Sequence, residues 1–427
     1  MKCVTKQKRR NILLLIGLTV AIVSSSFAQL TLEQCHDMAK KNYPLIEQRE
    51  LISQTKEFSV ANAHSGYLPQ FALYAQATYQ SDVTRVPVDF PGFTIKPLSK
   101  DQYKIYGEVN QTILDGGTIR QNAAVAETNS YVQSQQLEVE LYKIKDRVNQ
   151  LFFGVLLLDQ QLVQLDLLNK DLQTSLSKVQ ASIQNGTAFR TNADILQAEM
   201  LKTDQRVIET KSLRKAYLDM LGIFINQSLD ENTKLISPQI QFSQSSDISR
   251  PELSFYNTQK LLFNSQYQLS NTRNMPKLGL FLQAGYGKPA LNVLKNEFDT
   301  YYLGGVRLNW NLSGFYNKKR DKQLLEVNNQ LIDTQRDLFL FNTKLSLTQN
   351  SHEINKLNDL LKVDEQIITL RVRIKETAKA QLDNGVITAN DYLRELNAED
   401  QAKQNQSLHQ VQLILAQVNY KTTSGNE

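Results

Sequence analysis

The residue types that usually carry catalysis or metal binding are scattered along this sequence. None of the four histidines has a partner at the spacing of metal ligands; they are His36, His64, His352 and His409. The pair His352-Glu353 begins like the helical motif of zinc proteases, but no second histidine follows four residues on. The run from Gly285 to Lys288 resembles part of a phosphate-binding loop, yet Pro289 occupies the Ser/Thr position. No Gly-x-Ser-x-Gly motif is present. We therefore expect no enzyme activity, no metal site and no cofactor.

Two Asn-Gly pairs matter for their backbone conformation, because they can reverse the direction of the chain. They lie in Asn185-Gly186-Thr187 and in Asn384-Gly385-Val386. Asn-Gly adopts a positive φ at little cost, so it can end a helix and begin a turn. Asp391 lies six residues past Gly385, and Asp194 is its counterpart after the first pair. From residue types alone, each turn is an ordinary helix end and Asp391 is a cap for the next helix.

The first 28 residues predict a secretory signal peptide. A basic start, an apolar stretch from Ile12 to Val23 and the small residues Ser26 and Ala28 predict cleavage after Ala28. A membrane anchor is the alternative, but a dozen apolar residues are too few to cross about 30 Å of hydrocarbon. This segment holds the whole formal charge of +5, since the rest has 43 basic and 43 acidic residues. No nucleic-acid partner is therefore expected.

The composition limits the class of protein further. The length of 427 residues suggests two or three compact domains. The apolar content, with 41% hydrophobic residues and one tryptophan, is low for that many hydrophobic cores. Collagen-like, disulfide-rich and wholly disordered classes are excluded. Cys35 is the one thiol left after the signal peptide is removed. Because bulky polar residues precede Cys35, we expect it to be buried and not lipidated.

Two long stretches have the periodicity of helices that run for many turns. In 115–184, apolar residues recur every three or four positions from Leu151 to Ile183. The stretch 314–383 has a similar rhythm and contains no proline. About seventy residues at 1.5 Å per residue make a helix on the order of 105 Å long. No later apolar run approaches 18 residues, so we expect no membrane-spanning helix.

The long helices belong to a duplicated pattern. Leu114-Asp115-Gly116-Gly117 precedes the first helix, and Leu312-Ser313-Gly314 precedes the second. Each helix is followed by an Asn-Gly pair, then by Asp-x-Leu and Ala-Glu. Upstream, Pro69 and Pro276 lie where a helix gives way to extended chain. Gly116, Gly117 and Gly314 mark the return to helix.

Between each proline and the following glycine, the period of the apolar residues changes from 3.6 to 2, which indicates strands. Segments of about ten residues that alternate apolar with polar side chains and have aromatic ends are typical of outer-membrane strands. A half-buried sheet on a soluble core is the other interpretation, but no segment offers a layer to cover the apolar face. Four strands cannot close a barrel, and lipid does not tolerate open strand edges. Strands placed in a membrane would therefore require an oligomer.

These patterns predict a mainly α-helical fold built from a duplicated helix-strand-strand-helix unit, with a signal peptide at 1–28. The first repeat, 29–226, has helix 31–66, strands 67–80 and 101–114, long helix 115–184 and helix 190–226. A linker or equatorial segment follows at 227–249. The second repeat, 250–427, has helix 251–274, strands 277–288 and 300–312, long helix 314–383 and helix 389–421.

From about Leu30 to Tyr420 the chain resembles the TolC family of outer-membrane efflux proteins. The resemblance rests on the duplicated order, on Tyr67-Leu68-Pro69-Gln70, and on the two Asn-Gly, Asp-x-Leu and Ala-Glu segments. It implies a homotrimer whose twelve strands form one membrane β-barrel and whose helices form a periplasmic tunnel. It also implies an outer-membrane location in a Gram-negative bacterium. The partners would be outer-membrane lipid, a periplasmic adaptor and an inner-membrane transporter of the RND, ABC or MFS class.

The resemblance also implies roles for particular residues. The two Asn-Gly turns look like the helical tips that meet the adaptor: Asn185, Gly186, Thr187, Asn384, Gly385 and Val386. Asp391 matches a ring of aspartates at the closed periplasmic aperture, with Asp194 as its repeat counterpart. Where the family often has a second acid, this chain has Arg394. We expect Asp391 and Arg394 either to hold the tunnel closed through contacts between helices or, for Asp391, only to cap its helix.

The alternative function is a non-conducting periplasmic coiled-coil tether or scaffold. It explains the long helices equally well, but it leaves the alternating strands without a role. Within the channel interpretation, metal export is the weaker case, because five methionines and one mature cysteine offer little soft-ligand chemistry.

Overall fold

The computed structural model describes residues 29–84, 97–240, 242 and 247–426. The expected signal peptide lies outside the described residues. Two compact units divide the chain, the first of Met1–Ile46, Leu141–Ser249 and Asn342–Glu427, the second of Glu47–Glu140 and Arg250–Phe341. Each sequence repeat contributes to both units.

Eight α-helices are described, and most of the chain lies in them. They are α1 Leu32–Asn42, α2 Gln48–His64, α3 Thr118–Tyr142, α4 Ile144–Gln184, α5 Arg190–Ile225, α6 Pro251–Thr272, α7 Lys318–Asp383 and α8 Ala389–Ser424. Six strands accompany them. They are β1 Gln29–Leu30, β2 Gln70–Tyr79, β3 Asp101–Leu114, β4 Lys234–Leu235, β5 Lys277–Lys288 and β6 Asp299–Asn309.

The single helix expected over 31–66 is wrong, because proline interrupts it. Helix α1 ends at Asn42, and Tyr43 takes an extended conformation with ψ 131°. The residue before a proline is disfavoured in the helical region, and Pro44 follows Tyr43. A short 3₁₀ turn, Pro44–Glu47, then leads into α2.

The long helix expected over 115–184 is present as α3 and α4, which adjoin at Lys143. The backbone of Lys143 stays in the right-handed helical region, with φ −62° and ψ −20°. Helix α3 starts three residues later than expected, because Asp115 accepts hydrogen bonds from the N–H groups of Gly117 and Ile119. These bonds hold residues 115–117 in a turn, since a carboxylate that bonds nearby backbone N–H groups competes with helix formation.

Several other element ends differ from expectation for a shared reason: short 3₁₀ turns and caps occupy the junctions. Ser65–Tyr67 and Leu312–Tyr316 are 3₁₀ turns, so β2 starts at Gln70, β6 ends at Asn309 and α7 starts at Lys318. Helix α6 ends at Thr272, where Arg273 caps it. Helix α8 continues to Ser424, where Gly425 provides a left-handed cap with φ 81°.

One helical stretch, Thr118–Gln184, contains a window of 18 residues that is apolar and long enough to cross a membrane by composition. A third of that window is buried inside the protein. Asp159 and Asp166 interrupt the apolar sequence, which is why no uninterrupted run of that length appears. Packed core helices have the same length and composition, so these two properties do not by themselves indicate a membrane span.

The sheet of the second unit contains four antiparallel strands in the order β2-β3-β5-β6. The two hairpins therefore meet along β3 and β5, with Val109 opposite Leu282. Strands β2 and β6 form the two edges of the sheet. In the helices of this unit, Lys56 of α2 pairs with Glu127 of α3 at 3.1 Å.

The first unit has a small parallel sheet that the sequence pattern did not reveal. Gln29 pairs with Lys234 and Leu30 with Leu235. The segment 227–249 was expected to be only a linker. It pairs instead with the first residues of the described chain. Arg214 of α5 donates to the carbonyls of Glu231 and Thr233 at 2.8 and 2.9 Å, which fixes the same segment to the helices.

Candidate functional site

The two Asn-Gly turns have the same geometry. In the first, the N–H of Thr187 donates to the carbonyl of Ser182 at 2.9 Å, and the N–H of Gly186 to that of Ile183 at 3.0 Å. In the second, the N–H of Val386 donates to the carbonyl of Gln381 at 2.8 Å, and Gly385 to Leu382 at 3.0 Å. This pair of bonds is the Schellman motif, which satisfies the last carbonyls of a helix.

These turns require glycine because of the backbone conformation, and not because a side chain would clash with neighbouring atoms. Gly186 has φ 72° and Gly385 has φ 69°. A Cβ added to either residue would meet no atom within 4 Å. Thr187 and Val386, which follow the glycines, are exposed to solvent. Both tips therefore present side chains outward at a sharp and well-defined reversal of the chain.

A shared apolar core next to the turns holds the four helices α4, α5, α7 and α8 together. Tyr392 of α8 is fully buried in this core, and its hydroxyl accepts a hydrogen bond from Ser175 of α4 at 3.2 Å. Apolar residues of all four helices surround it, namely Leu168, Leu172, Leu176, Val179, Ala193, Leu196, Ala378, Leu382, Ala389, Leu393 and Leu396.

Asp391 closes a capping box at the start of α8. The N–H of Asp391 donates to the Thr388 hydroxyl at 3.3 Å, and the N–H of Thr388 donates to the Asp391 carboxylate at 3.2 Å. Hydrogen bonds from the side chain and backbone of Thr388, together with the nearby charge of Arg394, lower the pKa of Asp391. Within the chain, Asp391 thus acts as a helix cap.

Within the described part of the chain, no hydrogen bond or ion pair joins Asp391 to the other two residues expected at the aperture. Arg394 is exposed and pairs with Glu395 of the same helix at 3.1 Å. Asp194 is exposed in the first turns of α5. Its helix begins after Phe189, which makes no side-chain cap. Phe189 is 83% exposed, beside the first Asn-Gly turn. The two tips therefore differ in their caps and in their surfaces.

An ionic cluster around the buried Lys375, which no sequence motif indicated, joins α4, α7 and α8. Lys375 Nζ lies 3.1 Å from Asp171 Oδ2, 3.1 Å from Glu376 Oε1 and 3.2 Å from Glu399 Oε2. Burial by itself lowers the pKa of Lys375, but the bonds to Asp171 and Glu376 and the charge of Glu399 outweigh it and raise the pKa above its ordinary value. Lys375 is therefore held as a cation.

Two further contacts link the first hairpin, formed by α4 and α5, to the second, formed by α7 and α8. Lys178 Nζ lies 2.5 Å from Asp383 Oδ2 on a solvent-exposed side of the bundle. The side-chain oxygen of Asn192 accepts from the N–H of Ala389 at 3.4 Å. Together with the Ser175–Tyr392 hydrogen bond and the ion pair of Arg206 with Asp400, these contacts join the two hairpins. Among the described residues, neither Asp391 nor Arg394 is hydrogen-bonded or ion-paired to the first hairpin. The spacing of residues in the sequence could not indicate these contacts, because the partners lie about 200 residues apart.

The helix-strand junctions occupy the places where the chain changes direction. Pro69 directly precedes β2, and Pro276 directly precedes β5. Gly116 and Gly117 have φ 65° and 84°, in the turn before α3. A Cβ at Gly314 would lie 1.9 Å from Asn274 Oδ1, so a larger residue at this position would have to displace the Asn274 side chain.

One face of the four-stranded sheet is apolar and exposed. Its exposed apolar side chains come from all four strands and include Phe71, Leu73, Ile105, Leu280, Leu282, Val306 and Leu308. Aromatic residues bound this face along its two edges, at Phe71 and Tyr79 of β2, at Tyr302 of β6 and at Trp310, which directly follows β6. Within each pair the residues are eight positions apart, which corresponds to about 26 Å of strand.

No family model matches the sequence, and no curated protein matches it. Solved structures do match. VceC of Vibrio cholerae, an outer membrane protein, is 13% identical with a TM-score of 0.64, and the match covers 93% of this chain and 97% of that one. The CmeC outer membrane channel of Campylobacter jejuni is 16% identical with a TM-score of 0.61, over 92% and 85%.

The MtrE outer membrane channel of Neisseria gonorrhoeae is 12% identical with a TM-score of 0.64, and the match covers 93% of this chain and 89% of that one. The chain has the outer-membrane channel fold. The resemblance to the TolC family is thereby confirmed at the level of the fold. The outer-membrane channel fold extends over nearly the whole chain, so both repeats take part in it.

Proposed function

We propose that this protein is the outer-membrane channel-tunnel of a tripartite efflux or type I secretion system. Three copies would form one conduit that passively carries substrates to the exterior. An inner-membrane transporter of the RND, ABC or MFS class would supply the energy, and a periplasmic adaptor would join the two.

The observation that carries the proposal is the exposed apolar face of the sheet. Side chains such as Leu73, Leu282 and Val306 are exposed on it, although exposing a contiguous apolar face to water is costly. Its length of about 26 Å matches the apolar band of about 25 Å, with aromatic girdles, that outer-membrane barrels present to lipid. Lipid is the environment in which this face needs no covering layer.

The edges of the sheet support a trimer. Strands β2 and β6 each have one neighbour in the sheet, and unpaired strand edges are not tolerated in hydrocarbon. Pairing β6 of one copy with β2 of the next would remove every edge. Three copies of four strands give twelve, enough to enclose a wide lumen.

The two tips are the proposed adaptor contacts. Asn185-Gly186-Thr187 and Asn384-Gly385-Val386 are exposed at the ends of paired helices, where a partner can approach without disturbing the core. Asp194, Asp391 and Arg394 are proposed to surround the aperture of the trimer. Since Asp391 caps its own helix and Arg394 pairs with Glu395, any closing contact from these residues would be made to a neighbouring copy.

Export by a cleaved signal peptide, without lipidation, completes the proposal. Cys35 is fully buried in α1, so a lipid could not be attached there without displacing the helix. A non-conducting tether remains the second candidate for the long helices, but it offers no use for the exposed sheet face.

Fractionation and conductance test the proposal together. The protein should run as heat-modifiable trimers from outer-membrane fractions, and the purified trimer should produce stepwise conductance in planar bilayers. Deletion of the gene should reduce export of drugs, metals or proteins, and the adaptor should co-purify. Elongated monomers in the periplasm and no conductance would establish the tether instead.

A further inference from the structure

The opposite face of the four-stranded sheet carries the polar side chains. Since side chains alternate along a strand and cross-strand partners share a face, the register places Lys104, Glu108, Gln283 and Arg307 on this face. If the apolar face meets lipid, as the proposed function requires, the polar face lines the lumen of the barrel.

Glu108 is sheltered by its polar neighbours. Only 7% of the residue is exposed, although it lies on a single-layered sheet. Asn110 Nδ2 donates to its carboxylate at 2.6 Å, Gln283 Nε2 donates at 2.5 Å, and Arg307 Nη1 lies 3.6 Å away. The negative charge is therefore covered by donors from strands β3, β5 and β6.

Unlike Glu108, the side chain of Arg307 is exposed to solvent. Its side chain is 53% exposed. The guanidinium carbon lies 4.5 Å from the centre of the Phe281 ring, which is a cation–π contact between the two side chains. A Cβ at Gly305 would lie 3.1 Å from the Phe281 ring, so this glycine leaves the space in which the ring lies.

The charges of the polar face do not balance. Along the four strands, this face has three basic residues, Lys104, Lys277 and Arg307, and two acidic residues, Glu108 and Asp299. All three basic residues are exposed, whereas Glu108 is buried against Arg307. Summed over the four strands, the three basic residues exceed the two acidic residues by one positive charge in each copy.

We propose that Lys104, Arg307 and Glu108 give the membrane segment of the channel a preference for anionic solutes. Lys104 and Arg307 supply positive charge at the wall of the lumen. Glu108 partly neutralises the charge that Arg307 presents to a passing solute. Three copies repeat these charges around the lumen, and rings of Lys or Arg select anions in other pores. The inference rests on the proposed function, because it needs a conducting barrel.

The test is the chloride-to-potassium permeability ratio of the purified full-length trimer, measured from reversal potentials across a KCl gradient in planar bilayers. Lys104→Gln and Arg307→Gln each remove one positive charge per copy and should lower the ratio. Glu108→Gln removes the sheltered negative charge and should raise it. Each change should be on the order of twofold at 0.1 M salt, because exposed charges are partly screened there.

Two controls separate wall charge from general disturbance. Lys288→Gln removes the same charge from the other face of β5, where the register pairs Lys288 with Tyr103, and should leave the ratio unchanged. Arg307→Lys keeps the charge and should behave as the wild type. At 1 M salt, where the screening length falls to about 3 Å, all the shifts should shrink.

The outcomes distinguish this inference from the proposed function. If the wild-type trimer does not conduct, the channel proposal fails and the inference fails with it. If the wild type conducts, but Lys104→Gln, Arg307→Gln and Glu108→Gln all leave the permeability ratio unchanged, the selectivity inference alone is overturned. Should Arg307→Gln fail to assemble, the opposite shifts expected for Lys104→Gln and Glu108→Gln still decide the matter.

Discussion

Lys375 illustrates how a single buried charge can join helices that are distant in sequence. Only 7% of its side chain is exposed, and it contacts acids from α4, α7 and α8. Burying a charge is costly unless it is paired, and Glu399, the one acid of the three that is itself buried, faces Lys375 at 3.2 Å. The stability of the bundle next to the two tips therefore depends on this residue more than on any exposed ion pair.

We predict that Lys375→Ala destabilises the protein by about 3 kcal/mol, since it removes a buried cation from the buried carboxylate of Glu399 and leaves that carboxylate with Lys403 alone. The matched control is Lys178→Ala, which breaks the exposed bridge to Asp383 and should cost about 1 kcal/mol or less. Thermal unfolding followed by circular dichroism would show the difference as a larger drop in midpoint for Lys375→Ala. Equal midpoints for the two variants would contradict the structural role of Lys375.

Cys35 is a buried thiol whose reactivity follows from its surroundings. It has no exposed surface in α1, and burial raises its pKa to about 11. Thiols react as thiolates, so a raised pKa and a closed environment both slow modification. The residue therefore behaves as a small apolar side chain in the packing of the helix.

A maleimide reagent at pH 7.5 should therefore leave native Cys35 unmodified and should label it after denaturation. Raising the pH toward 11 increases the thiolate fraction, but access still limits the reaction while the fold is intact. Thr187→Cys, which adds a thiol at the exposed first tip, should take one label under native conditions. Mass spectrometry counts the labels, and one label on the native wild type would show that α1 is open.

The helix hairpins end in turns whose form depends on two glycines. Both residues have positive φ and open space around the position of a Cβ. A substitution therefore acts through backbone strain and not through a clash. The same turn geometry occurs in both repeats, although only the second is followed by a capping box.

Gly385→Ala is expected to destabilise the second hairpin by about 1 kcal/mol, because a non-glycine residue in the left-handed region is strained. Gly385→Asn is the matched variant, since asparagine tolerates that region, and it should lose less. Amide hydrogen exchange in the last turn of α7 would measure the loss as faster opening. Similar exchange rates in Gly385→Ala and the wild type would show that the turn is not fixed by its conformation.

Apolar side chains repeat every seven residues on an exposed side of α7. Leu324, Leu331 and Leu338 are each more than half exposed in the single chain. A seven-residue apolar repeat is typical of helices that pack against another helix along their length. In the proposed trimer, this side of α7 would be covered by a neighbouring copy.

Leu331→Asp should prevent or weaken the trimer, because it places a charge in the proposed contact between copies. Gln330→Asp adds the same charge at the adjacent exposed polar position and should assemble normally. Gel mobility of unheated samples, with light scattering in detergent, reports the assembly. Normal trimers of Leu331→Asp would exclude this side of α7 from the interface.

The sequence by itself determined what depends on neighbouring residues. Alternation placed β3 and β5, helical rhythm placed α4 and α7, and the Asn-Gly pairs placed the two reversals. These features are local, since they follow from the spacing of residues within a few turns or one strand. Local conflicts, such as Pro44 within an apparent helix, account for most differences at the element ends.

Only the tertiary structure decided which distant residues meet. It placed β3 next to β5, paired Gln29–Leu30 with Lys234–Leu235, gathered Asp171 and Glu399 around Lys375, and covered Glu108 with Gln283 and Arg307. It also showed that Asp391 bonds to Thr388 of its own turn. Such contacts join residues far apart in sequence, and their partners are set by how whole elements pack, which no local spacing encodes.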